Sequence, residues 1–129
     1  MNPQINVIAL GVNDINRAKE FYRDSLGCPI AQEQGQYISF DLGERSAALA
    51  LYPRAALAGD AGVAVDSNGF SGVTLNYLVS SDEQVDAVMA QAERGGATVT
   101  KPAQKAQWGG YFGYFSDPDG YLWKVASAG

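Results

Sequence analysis

The chain has 129 residues, 47% of them apolar and 18% charged, with a net charge of −5, one cysteine and no histidine. Without an imidazole there is no Ser-His-Asp or Cys-His catalysis, no histidine-ligated zinc or iron and no histidine acid/base chemistry. Carboxylate, lysine, tyrosine, hydroxyl groups and a single thiol are what remain.

An acidic chain with scattered Lys and Arg lacks the cationic patch on which nucleic-acid and anionic-membrane binding depend. Cys28 stands alone, so it closes no internal disulfide, which suits a reducing compartment. The first residues are polar, with no basic segment leading into a long apolar one. No uncharged apolar run approaches the roughly 18 residues a membrane span needs. These features predict one soluble, cytoplasmic domain with no nucleic-acid or membrane partner.

Residues 5–12 (INVIALGV) are β-branched and apolar nearly throughout, the pattern of a strand covered on both faces. Asp14 is a good N-cap for a helix over residues 15–26, where Ile15, Ala18, Phe21, Tyr22 and Leu26 recur at helical spacing and Gly27 supplies a stop. Residues 36–42 (QYISFDL) alternate, and residues 47–52 (AALALY) form a second extended run that Pro53 ends. Residues 54–70 are rich in Ala, Gly, Asp, Ser and Asn without a sustained period, so they read as a linker, with room for a short helix at 55–58.

The second half repeats the first. Residues 73–79 (VTLNYLV) predict a strand, Ser81 or Asp82 a cap, and Val85, Val88, Met89 and Ala92 a helix ending at Gly95 and Gly96. Asp14 to Asp82 and Gly27 to Gly95 are both 68 residues apart, so the start and the stop of the helix keep one register. Strands follow at 98–100, 111–115 and 121–126, the last two joined by the turn Asp117-Pro118-Asp119-Gly120. The unit is β-α-β-β-β, present twice: an α+β chain with modules at about residues 4–54 and 71–127. Pairing such modules predicts a curved mixed sheet with outer helices and a concave small-molecule site.

At this level the sequence resembles a family. LGVNDINRAKEFYRDSLG (residues 10–27) and WGGYFGYFSDPDGYLWKVA (residues 108–126) look like the vicinal-oxygen-chelate superfamily of glyoxalases, bleomycin-resistance proteins and extradiol dioxygenases. The likeness runs from Ile5 to Ala126 and is weakest in the linker. It implies the glyoxalase/bleomycin resistance/dioxygenase fold and, by habit of the superfamily, a homodimer. Metal-dependent members place four His, Glu or Gln ligands on the first and last strand of each module. Carried onto this chain, those positions are Val7, Thr74, Lys124 and a residue at or near Leu49 in AALALY. None is a competent ligand beyond a weak threonine hydroxyl, and Lys124 brings positive charge to where a cation would sit. No metal and no other cofactor is expected.

Period-two alternation puts Val7, Ala9 and Gly11 on one face, and Thr74 and Asn76 on the matching face of the second module. Asn76 there either orients a ligand or bonds a neighbour. Lys124 shares its face with Leu122 and Ala126; it either binds an anionic ligand group or reaches the rim or a carboxylate such as Asp41. Trp108, Tyr111 and Tyr114, set among Gly109, Gly110 and Gly113, wall a pocket or merely cover the core. Tyr37, Tyr52 and Arg54 belong to the first module's hairpin and its exit, with Arg54 either a carboxylate clamp or a surface charge. GGYFG lacks the spacing and the following helix of a phosphate loop, and Cys28 has no base motif around it.

The leading expectation is a metal-independent binder of a small organic ligand, of a resistance or sequestering type. The alternative is an enzyme: a glyoxalase-like lyase, isomerase or epimerase using Lys124 or a tyrosine in place of the metal, or a dioxygenase-related or metal enzyme whose ligands stand at positions other than these four; metal-dependent glyoxalase I and extradiol dioxygenase activity of the usual kind is not expected. A module that only binds other proteins fits the polar and aromatic residues of the site less well.

Overall fold

The structure, a computed structural model, describes residues 4–61, 64–65, 73–107 and 109–128. The chain divides into two compact units, residues 1–67 and 68–129. Each contains one four-stranded sheet.

In the first unit the strands are β1 (Val7–Val12), β2 (Ile30–Gln34), β3 (Tyr37–Phe40) and β4 (Ala48–Pro53), in the spatial order β1-β4-β3-β2. β1 and β4 are parallel, while β3 is antiparallel to both β4 and β2. The parallel pair requires a crossover, which helix α1 (Ile15–Glu20) begins. The Asp14 carboxylate accepts the Arg17 backbone N–H at 3.1 Å, satisfying a donor left open in the first turn. The helix then widens into a π turn over Phe21–Ser25, where the Leu26 N–H reaches back to the Phe21 carbonyl at 3.1 Å. Gly27 stops it in the left-handed region, φ 78°.

The core of this unit lies on one side of the sheet. Leu10, Val12, Ile38, Phe40, Leu49 and Leu51 point to the helix side and are buried with Ala18, Phe21 and Tyr22. Tyr22 meets Phe21 edge-on at 5.1 Å and Phe40 at 6.0 Å between ring centroids. Two sequence expectations need correcting. β1 is covered on one face only, since Val7 is 51% exposed and Ala9 is exposed. β2 carried no strand signal because IAQEQ is polar and lies at an edge, where water takes the free backbone groups. The short helix expected in the linker is α2 (Arg54–Ala61), which starts directly at the end of β4. The remaining linker residues 62–63 and 66–70 lie outside the described residues.

The second unit holds β5 (Thr74–Leu78), β6 (Thr98–Lys105), β7 (Tyr111–Ser116) and β8 (Leu122–Ser127) in the order β5-β8-β7-β6, with β5 and β8 parallel. Helix α3 (Asp82–Arg94) is capped by Ser81, whose hydroxyl accepts the Gln84 N–H at 3.2 Å. It buries Val85, Met89 and Ala92. Phe115 stacks on Trp123 at 6.2 Å, and Val125 is fully buried on that same helix face. Gly113 is required for close packing: a Cβ there would stand 3.0 Å from the Met89 methyl and 3.1 Å from the Ala103 backbone.

β6 runs for eight residues, longer than the expected strand at 98–100. Pro102 inside it discourages a strand reading, yet β6 is an edge strand and the missing N–H costs no ladder bond there. Among the described residues, no helix is long and apolar enough to cross a membrane.

Candidate functional site

Each sheet has a helix side and an open face, and pairing register assigns every residue to one or the other. On the open face of the first sheet, Val7, Ala9 and Gly11 lie beside Ala48, Ala50 and Tyr52, and Ser39 lies beside Ala50. The Tyr37 and Tyr52 rings meet at 4.9 Å on this face. Gly11 lets the next element come close: a Cβ there would be 3.2 Å from the Arg54 Cα, so the first residue of α2 rests over β1. Leu49, the approximate position that the resemblance assigns to a metal ligand, points to the helix side and is buried. Its open-face neighbours are Ala48 and Ala50, which offer no donor either.

The open face of the second sheet is polar and cationic. Register places Lys101 opposite Tyr114, Tyr114 opposite Lys124 and Lys124 opposite Asn76, one continuous row across all four strands. The Lys124 ammonium lies 4.8 Å from the Phe112 ring centroid and 6.0 Å from that of Tyr114. The Lys101 ammonium approaches the same Phe112 ring at 4.9 Å. Phe112 and Tyr114 meet edge-on at 6.0 Å. Thr74 donates its hydroxyl to the Asn76 amide oxygen at 3.2 Å, which orients that amide.

Thr74, Asn76, Tyr114 and Lys124 therefore come together on one face, and Tyr37 and Tyr52 pair on the face of the other sheet. Tyr111 does not join them. It pairs with Ser127 on the helix side and donates its hydroxyl to Asp86 of α3 at 2.6 Å. That hydrogen bond, together with burial and the nearby Asp86 and Asp82 charges, raises the phenol above its ordinary 10.0 and keeps it protonated. Trp108 lies outside the described residues. Cys28 is half-buried, and desolvation lifts its thiol above the usual 9.0, the opposite of what a nucleophile needs.

Lys101 and Phe112 lie on this same face, and the sequence did not mark them. Strict alternation puts Lys101 on the same side as Val99, which faces Phe115 and the helix. The register shifts between Val99 and Lys101 and again between Lys101 and Gln104, and the first of these turns Lys101 to the open face. Pro102 is the signal that foreshadows such an irregularity.

The donor set does not fit the metal that the resemblance implies. Val7, Ala48 or Ala50, Thr74 and Lys124 supply one weak hydroxyl and one cation. Among the described residues, no group of three or more His, Cys, Asp or Glu is placed to hold a metal ion.

The family model for the Glyoxalase/Bleomycin resistance protein/Dioxygenase superfamily matches residues 4–125. The chain is 31% identical over 122 residues to the uncharacterized protein YraH of Bacillus subtilis (strain 168), covering 92% of this chain and 93% of that protein. A glyoxalase-related enzyme from Fulvimarina pelagi superposes with a TM-score of 0.87 at 30% identity, over 96% of this chain and 87% of that one. A glyoxalase/bleomycin resistance protein/dioxygenase family enzyme from Burkholderia phytofirmans PsJN, 18% identical, shares the fold with a TM-score of 0.84 over 98% and 99% of the two chains. Family pattern, relative and fold agree over nearly the whole sequence, and the chain belongs to the glyoxalase/bleomycin resistance protein/dioxygenase superfamily.

Proposed function

We propose that this protein is a metal-independent member of the superfamily that binds a small organic ligand on the open face of its second sheet, in a sequestering or resistance-type role. The observation that carries the reading is the identity of the residues where metal-dependent relatives place ligands, above all Lys124, seated over Phe112. An ammonium at that point repels a divalent cation, and removing the cation leaves room for a ligand's own polar group. Asn76, held by Thr74, and the Phe112 and Tyr114 rings add one hydrogen-bonding group and an apolar wall.

The test is metal content and melting temperature of the purified protein. The expected result is no stoichiometric divalent metal, with a melting temperature unchanged by EDTA and by added zinc, nickel, manganese or ferrous iron. One tightly held ion per chain, with a chelator-induced fall in melting temperature, sinks the reading.

The same proposal includes a homodimer. β1 and β5 are edge strands, and Val7 and Leu78 on them are 51% and 75% exposed, large apolar side chains that association covers. Light scattering is expected to give twice the chain mass; a monomer mass at micromolar concentration refutes this part.

A further inference from the structure

We propose that the open face of the first sheet holds a ligand site of its own, for an uncharged planar ring that carries a hydroxyl or carbonyl group, with Ser39 as its hydrogen-bonding residue. The site lies on β1, β3 and β4 and stands independently of the reading given for Lys124. Ser39 is the observation that carries it. The residue is 7% exposed and sits on the open face opposite Ala50, which is 0% exposed. Among the described residues none hydrogen-bonds to its hydroxyl, and the oxygen is not sealed from solvent, so a polar group arriving from outside can reach it. A hydroxyl that is nine-tenths buried without a partner contributes nothing to folding, since burial strips it of water and no bond replaces that loss.

The neighbours fit a flat ring. Ala9, Ala50 and Ser39 form one row across β1, β4 and β3, a floor of small side chains. The next row, two residues or about 7 Å along the strands, brings the Tyr52 and Tyr37 rings together at 4.9 Å, tilted by 47°. Two rings beside a floor of methyl-sized groups leave a step against which an aromatic ligand lies edge to face. Both tyrosines are half-buried, and among the described residues no hydrogen bond holds either hydroxyl. Three hydroxyl groups on adjacent positions are thus open to a ligand. Charge points the same way. No paired residue of this face carries a charge, and Glu33 of β2 turns to the helix side, where its carboxylate accepts from the Lys19 ammonium at 2.6 Å. Arg54, at the margin, covers Gly11 with its Cβ and Cγ. Neutral hydrogen-bonding groups around an apolar floor select a neutral polar ring over an ion, whose desolvation nothing on this face repays.

Three probes share one ring: phenol, uncharged at neutral pH; benzoate, which is anionic; and benzene, which has no polar group. Amide chemical shifts of isotope-labelled protein, followed by NMR up to tens of millimolar probe, report both affinity and place. Phenol is expected to shift the amides of Ser39, Ala50 and their strand neighbours, and to bind there more tightly than benzoate or benzene. Ser39→Ala is expected to weaken phenol about fivefold, the loss of one hydrogen bond, and to leave benzene unchanged. Tyr52→Leu is expected to weaken both, because it removes part of the aromatic wall. The melting temperature of Ser39→Ala without any probe is expected to equal or slightly exceed that of the parent, since the hydroxyl has no bond to lose.

A fall of several degrees in Ser39→Ala shows that the hydroxyl is already bonded in the folded protein and overturns the proposal. Phenol that shifts no amide of the first sheet, or that binds Ser39→Ala as well as the parent, overturns it too, and benzoate binding as tightly as phenol rejects the uncharged class. A stoichiometric metal instead sinks the reading of the Lys124 face and leaves this one standing.

Discussion

Replacing Phe40 with alanine is expected to destabilise the protein by about 3–5 kcal/mol, the range found for a fully buried aromatic side chain deleted from a close-packed core. Phe40 is 0% exposed, lies on the helix side of β3 opposite Leu49, and holds the Tyr22 ring at 6.0 Å. For a chain of this size the loss corresponds to a fall in melting temperature of roughly 10–20 °C, read by circular dichroism. Tyr37→Ala, on the open face of the same strand, is expected to cost far less, because its ring meets Tyr52 and remains partly exposed. Equal losses for the two variants contradict the assignment of faces on which the site description rests. The comparison is therefore a test of which side of the sheet holds the core.

The second large effect is expected at Asp117. This carboxylate is 3% exposed, and one of its oxygens accepts the backbone N–H groups of Asp119 at 2.9 Å and Tyr121 at 2.8 Å. Gly120, at φ 93°, closes the turn with its own N–H on the Asp117 carbonyl. Asp117→Ala leaves two partly buried donors without that acceptor and is expected to cost about 2–4 kcal/mol. Asp117→Asn keeps an acceptor oxygen and is expected to cost markedly less. Identical losses in chemical unfolding reject the account based on acceptor geometry.

The turn matters beyond stability. It sets the register of β7 against β8, and that register brings Tyr114 opposite Lys124.

The site depends on a change of chemistry at fixed backbone positions. At the position that the resemblance assigns to a metal ligand, this chain carries Lys124, which lies opposite Asn76 on the open face. A fixed cation and a bound metal share one property, attraction for ligand oxyanions, and differ in another, since lysine has no open coordination position and cannot act as a metal Lewis acid. That difference is the ground on which we propose binding as the function.

Much of the architecture was legible in the sequence because its signals are local. The 68-residue spacing from Asp14 to Asp82 and from Gly27 to Gly95 marked the repeat, and the caps at Asp14 and Ser81 act through their own side chains three residues along. β2 escaped notice because a polar edge strand has neither an apolar run nor a buried face to betray it. The expected strand at 98–100 is the start of β6, whose remaining residues 101–105 are mostly polar and include Pro102, which an edge strand tolerates.

The sequence by itself determined the chemical inventory, with no imidazole and a lone thiol, and only the resemblance implied that Val7, Thr74 and Lys124 occupy metal-ligand positions. It also determined which residues of a single strand share a face, since alternation is a property of the extended backbone. Only the tertiary structure decided which strands lie side by side and in what register. That choice sent Tyr111 to Asp86 on the helix side, and through a bulge in β6 it turned Lys101 onto the row of Tyr114 and Lys124. The reason is physical: inserting one unpaired residue reverses the faces beyond it, and which residue is left unpaired is set by the register against the neighbouring strand rather than by alternation within β6.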